Sequence, residues 1–247
     1  MLFRSDDFPD LVHAVTTRKG GTHPCGLSMG LALSAPHGIA HRKSVCSALG
    51  IEVSHLVVSR QVHGNNVSVV GKEERGRGVY SLDTVIPGVD GLITRDREVA
   101  LMALSADCPL MGLFDPDTST LAVVHSGWRG TVQQIVCTAV KTMRTRFGVD
   151  PGNIRAVISP CIGPCCYRVG QEVIEKAGVL SPFLFEREGH ACFDLWSANL
   201  YLLESSGVLP AHIQCAQICT FCSNDLFFSY RKEGKGTGLF ALLLQIR

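Results

Sequence analysis

The chain has 247 residues, 46% of them hydrophobic and 18% charged, with 23 Lys and Arg against 22 Asp and Glu. This composition excludes a disordered or fibrous chain, and a net charge of +1 supplies no basic surface for nucleic acid or an anionic membrane. No run of about 18 apolar residues exists, so no membrane-spanning helix is expected, and "MLFRSDDFPDL" carries acidic residues where a secretion signal needs its apolar stretch. The expected location is cytoplasmic.

Short apolar runs bounded by turn residues predict strands. In chain order they cover 11–16, 55–58, 66–70, 91–94, 99–104, 110–114, 121–125, 154–158, 213–218, 226–229 and 239–245. The polar, glycine-rich stretch 71–81 reads as a loop. Helices are expected over 39–49, 131–147, 171–177 and 194–206. In the second of these, Val132, Ile135, Val136, Val140, Met143 and Phe147 share one face, with Thr131 as N-cap. Asp194 caps the last, and Gly207 ends it. No repeat or long linker divides the chain, so residues 1–247 read as one mixed α/β domain, not a strict βαβ repeat.

In "TLAVVHSGWRGTV" an apolar strand ends at His125, and Gly127, Trp128, Arg129 and Gly130 lead into a helix. A helix N-terminus favours anions. Arg129 adds a bidentate fork suited to phosphate or carboxylate. Two further strand ends look alike: "SRQVHGNNV" places His63 before Gly64, and "LSADCPLMGLF" places Asp107 and Cys108 before Pro109. Three converging strand ends would give two imidazoles and one thiolate, a three-ligand zinc site with one position open. The same residues also allow a nucleophilic Cys108 activated by His125 or His63. Asp107 is a candidate proton shuttle, or a carboxylate that orients a ligand histidine. Two glycine-rich loops could cradle an anion: "TTRKGGT" with Arg18, and "FFSYRKEGKGTGLF" with Arg231.

Eleven cysteines without a secretion signal point to free thiols or metal ligands. Cys46, Cys137, Cys192 and Cys215 read as core residues. Cys219 and Cys222 form a C-x-x-C, and Cys161, Cys165 and Cys166 a second cluster that could complete a structural zinc site. No second pair of good spacing lies near the C-x-x-C in sequence, so it is expected to be structural or idle rather than a second zinc site.

Together, "QVHG", "ADCP", "VVHSGWRGT", "ISPCIGPCCYRVG", "FDLWSANLYLLESSGV" and "CTFCSNDLFFSYRKEGKGTG" resemble the laccase-domain family. Its members were once labelled polyphenol oxidases and are now described as purine nucleoside phosphorylases with adenosine deaminase and methylthioadenosine phosphorylase activity. The resemblance implies a single-domain layered sandwich with two mixed central β-sheets flanked by helices. It implies a zinc on His63, Cys108 and His125, with copper as the other candidate metal. Purine nucleoside and phosphate are the implied partners, bound by Arg129 with Arg18 and Arg231, in a monomer or weak homodimer. The rival readings are a cysteine hydrolase or deamidase using a Cys108–His pair, a copper-dependent polyphenol oxidase, and a non-catalytic metal-binding protein. Ser28, Arg168 and Leu239 stand where the family usually has other residues.

Overall fold

The computed structural model describes residues 10–21 and 26–247. The acidic N-terminal stretch up to Pro9, Cys25, and the end of the Arg18 loop at Thr22 lie outside the described residues. The chain runs β1 (Leu11–Val15), α1 (Ala35–Leu49), β2 (Leu56–Val58), β3 (Val67–Val69), β4 (Gly91–Thr94), β5 (Ala100–Ser105), β6 (Leu110–Asp115), β7 (Thr120–His125), α2 (Trp128–Val132) and α3 (Ile135–Phe147). It continues through β8 (Arg155–Ile158), α4 (Gln171–Lys176), β9 (Leu184–Arg187), β10 (His190–Phe193), α5 (Leu195–Ser205), β11 (Ile213–Cys215), α6 (Tyr230–Glu233) and β12 (Phe240–Ile246).

Two mixed sheets form the centre. One has the order β1-β12-β5-β2, the other β11-β8-β6-β7-β4-β3. Their inner faces meet through Leu101, Leu110, Leu121, Val123, Leu242 and Leu244. The outer face of the six-stranded sheet packs on α3 and α5 through Ala122, Val124, Val136, Val140, Ala198 and Leu202. The outer face of the other sheet meets α1 through Met102, Leu243 and Cys46. Strands buried on both faces read as continuous apolar runs, and that is why "LAVV" and "ALLL" were visible as strands. The single-domain sandwich with two mixed sheets stands as expected.

Three details differ. Residues 226–229 form a turn and the N-cap of α6, not a strand. The long helix is broken: α2 starts at Trp128, Gln134 takes a left-handed φ of 59°, and α3 begins after it. Thr131 does not cap, because its Oγ1 donates to Ser126 O at 2.9 Å inside a buried network with Ser126 and Asn199. The β9–β10 hairpin was not expected. β9 is largely exposed and charged and β10 is buried only at Cys192 and Phe193, so neither carries an apolar run. The turn at Glu188 and Gly189 has φ of 53° and 72°, the double positive φ of a type I′ hairpin.

Candidate active site

Two of the chain's crossings between the sheets, near one end of the sandwich, carry two of the three expected ligands. Residues 59–66 lead from β2 to β3, and residues 106–109 from β5 to β6. The first crossing carries His63, the second Cys108, and β7 ends beside them at His125. One ring nitrogen of each histidine and Cys108 Sγ lie within 4.8 Å of one another. The rings meet edge to face at 85°, with centroids 4.8 Å apart. The three expected ligands are therefore brought together.

One carboxylate holds both histidines. β4 pairs with β7, which puts Asp90 next to His125. Asp90 is fully buried, and its Oδ1 lies 2.8 Å from His125 Nδ1. It also accepts the backbone N–H groups of Val62, His63 and Gly64 at 3.0, 2.9 and 2.9 Å. These bonds pin His63 at φ 60°, a conformation that costs about 1–3 kcal/mol for a non-glycine residue. With Nδ1 committed to Asp90, His125 offers Nε2 to the site, the arrangement by which outer carboxylates orient metal-bound histidines.

Burial works against a charged Cys108, but His125 and then His63 outweigh it, and the thiol pKa falls below its ordinary value. Burial also works against a charged His125, yet Cys108 and Asp90 raise its pKa. The space is closely cut: a Cβ on Gly127 would lie 2.9 Å from Cys108 Sγ and 3.0 Å from His63 Cδ2. Two imidazoles and a thiolate suit zinc or copper. His125 is buried and His63 exposed, so one side of the triad faces solvent. The residues fit a metal with an open position.

The other expected residues divide. Asp107 does not orient a histidine: Oδ1 accepts Thr220 Oγ1–H and Oδ2 the N–H of Arg231, each at 2.6 Å. Its carbonyl accepts from Ile162 at 2.7 Å, and these bonds hold it at φ 100°. Arg231 is thereby joined to the residue preceding Cys108. Its guanidinium lies 5.2 Å from the centre of the Tyr167 ring and donates to Arg168 O at 2.9 Å. Tyr167 was missed by sequence reasoning. Its phenol pKa is raised by burial and then by Cys108, with Arg231 and Arg129 opposing. Arg129 stacks 4.2 Å over Trp128 and grips Glu172 at 3.1 and 3.2 Å. Arg18 braces α6 through Glu233 and the Asn224 carbonyl, both at 2.9 Å, and lies over Phe228.

Two of the three departures from the family pattern touch. Ser28 Oγ accepts the N–H of Leu239 at 3.0 Å. Arg168 pairs with Glu188 on the β9–β10 turn at 2.9 Å.

The ground for reading the C-x-x-C as isolated is overturned. A parallel bridge between Cys161 and Cys219 continues the β8–β11 pairing past the strand ends. It lays Cys165 and Cys166 against Cys219 and Cys222, with all four sulfurs within 4.8 Å. Cys161 is not part of this group; its Sγ accepts Trp196 Nε1–H at 2.8 Å. Burial and then Cys222 push the Cys166 thiol up, whereas the Cys219 thiol is lowered, burial being outweighed by the N–H groups of Cys222 and Gly163.

A histidine–cysteine–histidine triad at the end of a two-sheet sandwich defines a class of protein. The chain belongs to the multi-copper polyphenol oxidoreductase laccase family, whose model matches residues 12–247. It is 33% identical to "Purine nucleoside phosphorylase YlmD" of Geobacillus stearothermophilus over 94% of this chain and 88% of that protein. It is 34% identical to "Adenosine deaminase RL5", from an unknown prokaryotic organism, over 80% of this chain and 77% of that one. The crystal structure of the Geobacillus YlmD superposes with a TM-score of 0.92 at 31% identity, covering 97% of this chain and 93% of that one.

Proposed function

We propose that this chain is a metal-dependent purine nucleoside phosphorylase, one domain over residues 1–247, acting on adenosine, inosine and methylthioadenosine. The observation that carries the reading is the triad fixed by Asp90, with one side open and Arg231 tied to its edge through Asp107. The relatives named purine nucleoside phosphorylase support it. In the reaction the C1′–N9 bond breaks, a phosphate oxygen bonds to C1′, and the departing base takes up a proton. A zinc ion, when bound, supplies Lewis-acid polarisation of the reacting group. Arg231 spends one N–H on Arg168 O and keeps others for a phosphate dianion. Arg129 joins it by exchanging Glu172 for phosphate, since the same fork fits both. The enzyme works in the cytoplasm as a monomer or weak homodimer.

The test is incubation of the zinc-loaded protein with adenosine, with and without phosphate. Adenine and ribose 1-phosphate, formed only with phosphate and lost on chelation, are the expected products. Inosine and ammonia without phosphate would favour deamination, the second reading, which the similarity to a protein named adenosine deaminase supports. Phenol oxidation by the copper-loaded protein alone, or full metal content with lost activity in Cys108→Ser, would overturn the reading. The last result points to a cysteine nucleophile. Arg129→Ala should keep its metal and lose about tenfold to a hundredfold in kcat/KM for phosphate, the worth of one charge-assisted hydrogen bond of about 1.5–3 kcal/mol. Glu172→Gln, which frees the fork, should lower KM for phosphate. An Arg129→Ala enzyme with unchanged phosphate dependence would leave Arg231 as the phosphate residue.

A further inference from the structure

The four-cysteine group has no part in the proposed reaction. Cys165 and Cys166 follow Pro164 in the turn after β8, and Cys219 and Cys222 lie in the turns after β11. Cys222 Sγ is 3.8 Å from Cys165 Sγ and 3.5 Å from Cys166 Sγ. Zinc–thiolate bonds of about 2.3 Å in a tetrahedron put sulfurs about 3.8 Å apart. The vicinal pair already aims both sulfurs at that spacing from a third. All four are free thiols.

The surroundings suit a tetrathiolate. Such a centre carries two negative charges around the ion, and N–H···S bonds and nearby cations relieve them. Gly163 N–H donates to Cys219 Sγ at 3.2 Å. Lys232 Nζ donates to the carbonyl of Phe221, inside the C-x-x-C, at 3.2 Å and lies over the Phe221 ring. The backbone comes close as well: a Cβ on Gly163 would meet Cys219 Cβ at 3.1 Å and the Trp196 ring at 2.8 Å. The two turns are registered by backbone bonds from Thr220 N–H to Cys161 O at 3.0 Å and from Cys161 N–H to Ile218 O at 3.2 Å.

We propose that Cys165, Cys166, Cys219 and Cys222 bind one zinc ion as a closed, structural tetrathiolate site, separate from the His63–Cys108–His125 triad. Binding replaces the thiol protons with four zinc–sulfur bonds, with no change of oxidation state. The ion then clamps the segment bearing Tyr167 to the segment bearing Thr220, which holds Asp107. A four-sulfur closed shell has no position for substrate, so its role is to fix one wall of the active-site cleft.

The experiment counts zinc in the full-length protein purified with zinc under reducing conditions. Two zinc ions per chain are expected. Cys108→Ser should leave one, and the double variant Cys166→Ser, Cys222→Ser should also leave one. Cobalt replaces zinc in the Cys108→Ser protein, which stays informative should the double variant not fold. Its near-ultraviolet thiolate-to-cobalt absorption should have the intensity of four thiolates. One zinc per chain that disappears with Cys108→Ser would overturn the proposal. So would a disulfide joining Cys222 to Cys165 or Cys166 in protein purified this way, or cobalt absorption too weak for four thiolates. Loss of phosphorolysis with both zinc ions retained would count against the proposed function and leave this site standing.

Discussion

At the scale of single residues, Asp90 sets the geometry of the candidate metal triad. It is the one carboxylate on His125 among the described residues, and it also holds the backbone of His63. Loss of such an outer partner costs about 10–100-fold in metal affinity. Asp90→Asn should therefore weaken zinc binding at the triad by about that factor, read by chelator competition on a Cys166→Ser, Cys222→Ser background. Asp107→Asn should leave that affinity nearly unchanged. Equal losses in both variants would mean that the two carboxylates brace the cleft together and Asp90 has no special hold on the metal. The three triad residues were legible because each lies at or just past the end of an apolar run, next to a Gly or Pro or separated from one by a single residue. Asp90 was not: it precedes β4, and its link to His125 is sideways, between strands, across 35 positions of sequence. Tyr167 was hidden for a similar reason, since its partners Arg231 and Cys108 lie far along the chain.

Elements were legible where their determinants are local. The cap of α5 is an example: Asp194 Oδ1 accepts the N–H groups of Trp196 and Ser197 at 3.0 and 3.1 Å. The break between α2 and α3 was not, because Asn199 of α5, far downstream, draws Ser126 and Thr131 inward. The α6 turn combines near partners with one distant one, Arg18. Glu233 accepts from Ser229 N–H at 3.2 Å, Asn224 Nδ2 at 3.2 Å and Thr237 Oγ1 at 2.8 Å, and pairs with Arg18 at 2.9 Å. Burial alone would raise its carboxyl pKa, but the bonds from Thr237, Ser229, Asn224 and Arg18 lower it overall. A lowered folded-state pKa stabilises the fold above the ordinary glutamate value of about 4.3 and loses that stabilisation as pH falls through the folded value. Glu233→Gln should be less stable than the parent by about 1 kcal/mol at neutral pH, a figure kept small by its partial exposure. The gap between the two proteins should shrink as pH falls below the ordinary glutamate value of about 4.3 and close below the lowered folded-state value. A gap of the same size at pH 3 and pH 7 would assign the loss to packing, not charge.

Strands of both sheets are buried on two faces, one between the sheets and one against the helices, and this predicts that the molecule unfolds as one cooperative unit. β12 lies between β1 and β5. Leu242 and Leu244 enter the core between the sheets, while Ala241 and Leu243 face α1. Trp128 and Trp196 pack on the opposite side, against the core under α3 and α5. Leu243→Ala opens a cavity beside α1, far from both tryptophans. A buried Leu→Ala change costs about 2–5 kcal/mol, and about 3 kcal/mol lowers Tm by about 6–12 °C in a chain of this size. Zinc is held at constant excess, because a ligand bound only to the native state shifts Tm by itself. If the layers unfold together, tryptophan fluorescence and far-ultraviolet circular dichroism should report the same lowered midpoint. A fluorescence midpoint that stays at the parent value while the dichroism midpoint falls would show that the α1 layer melts alone. The sandwich would then be two stability units joined at the inter-sheet core, with the active site at their seam.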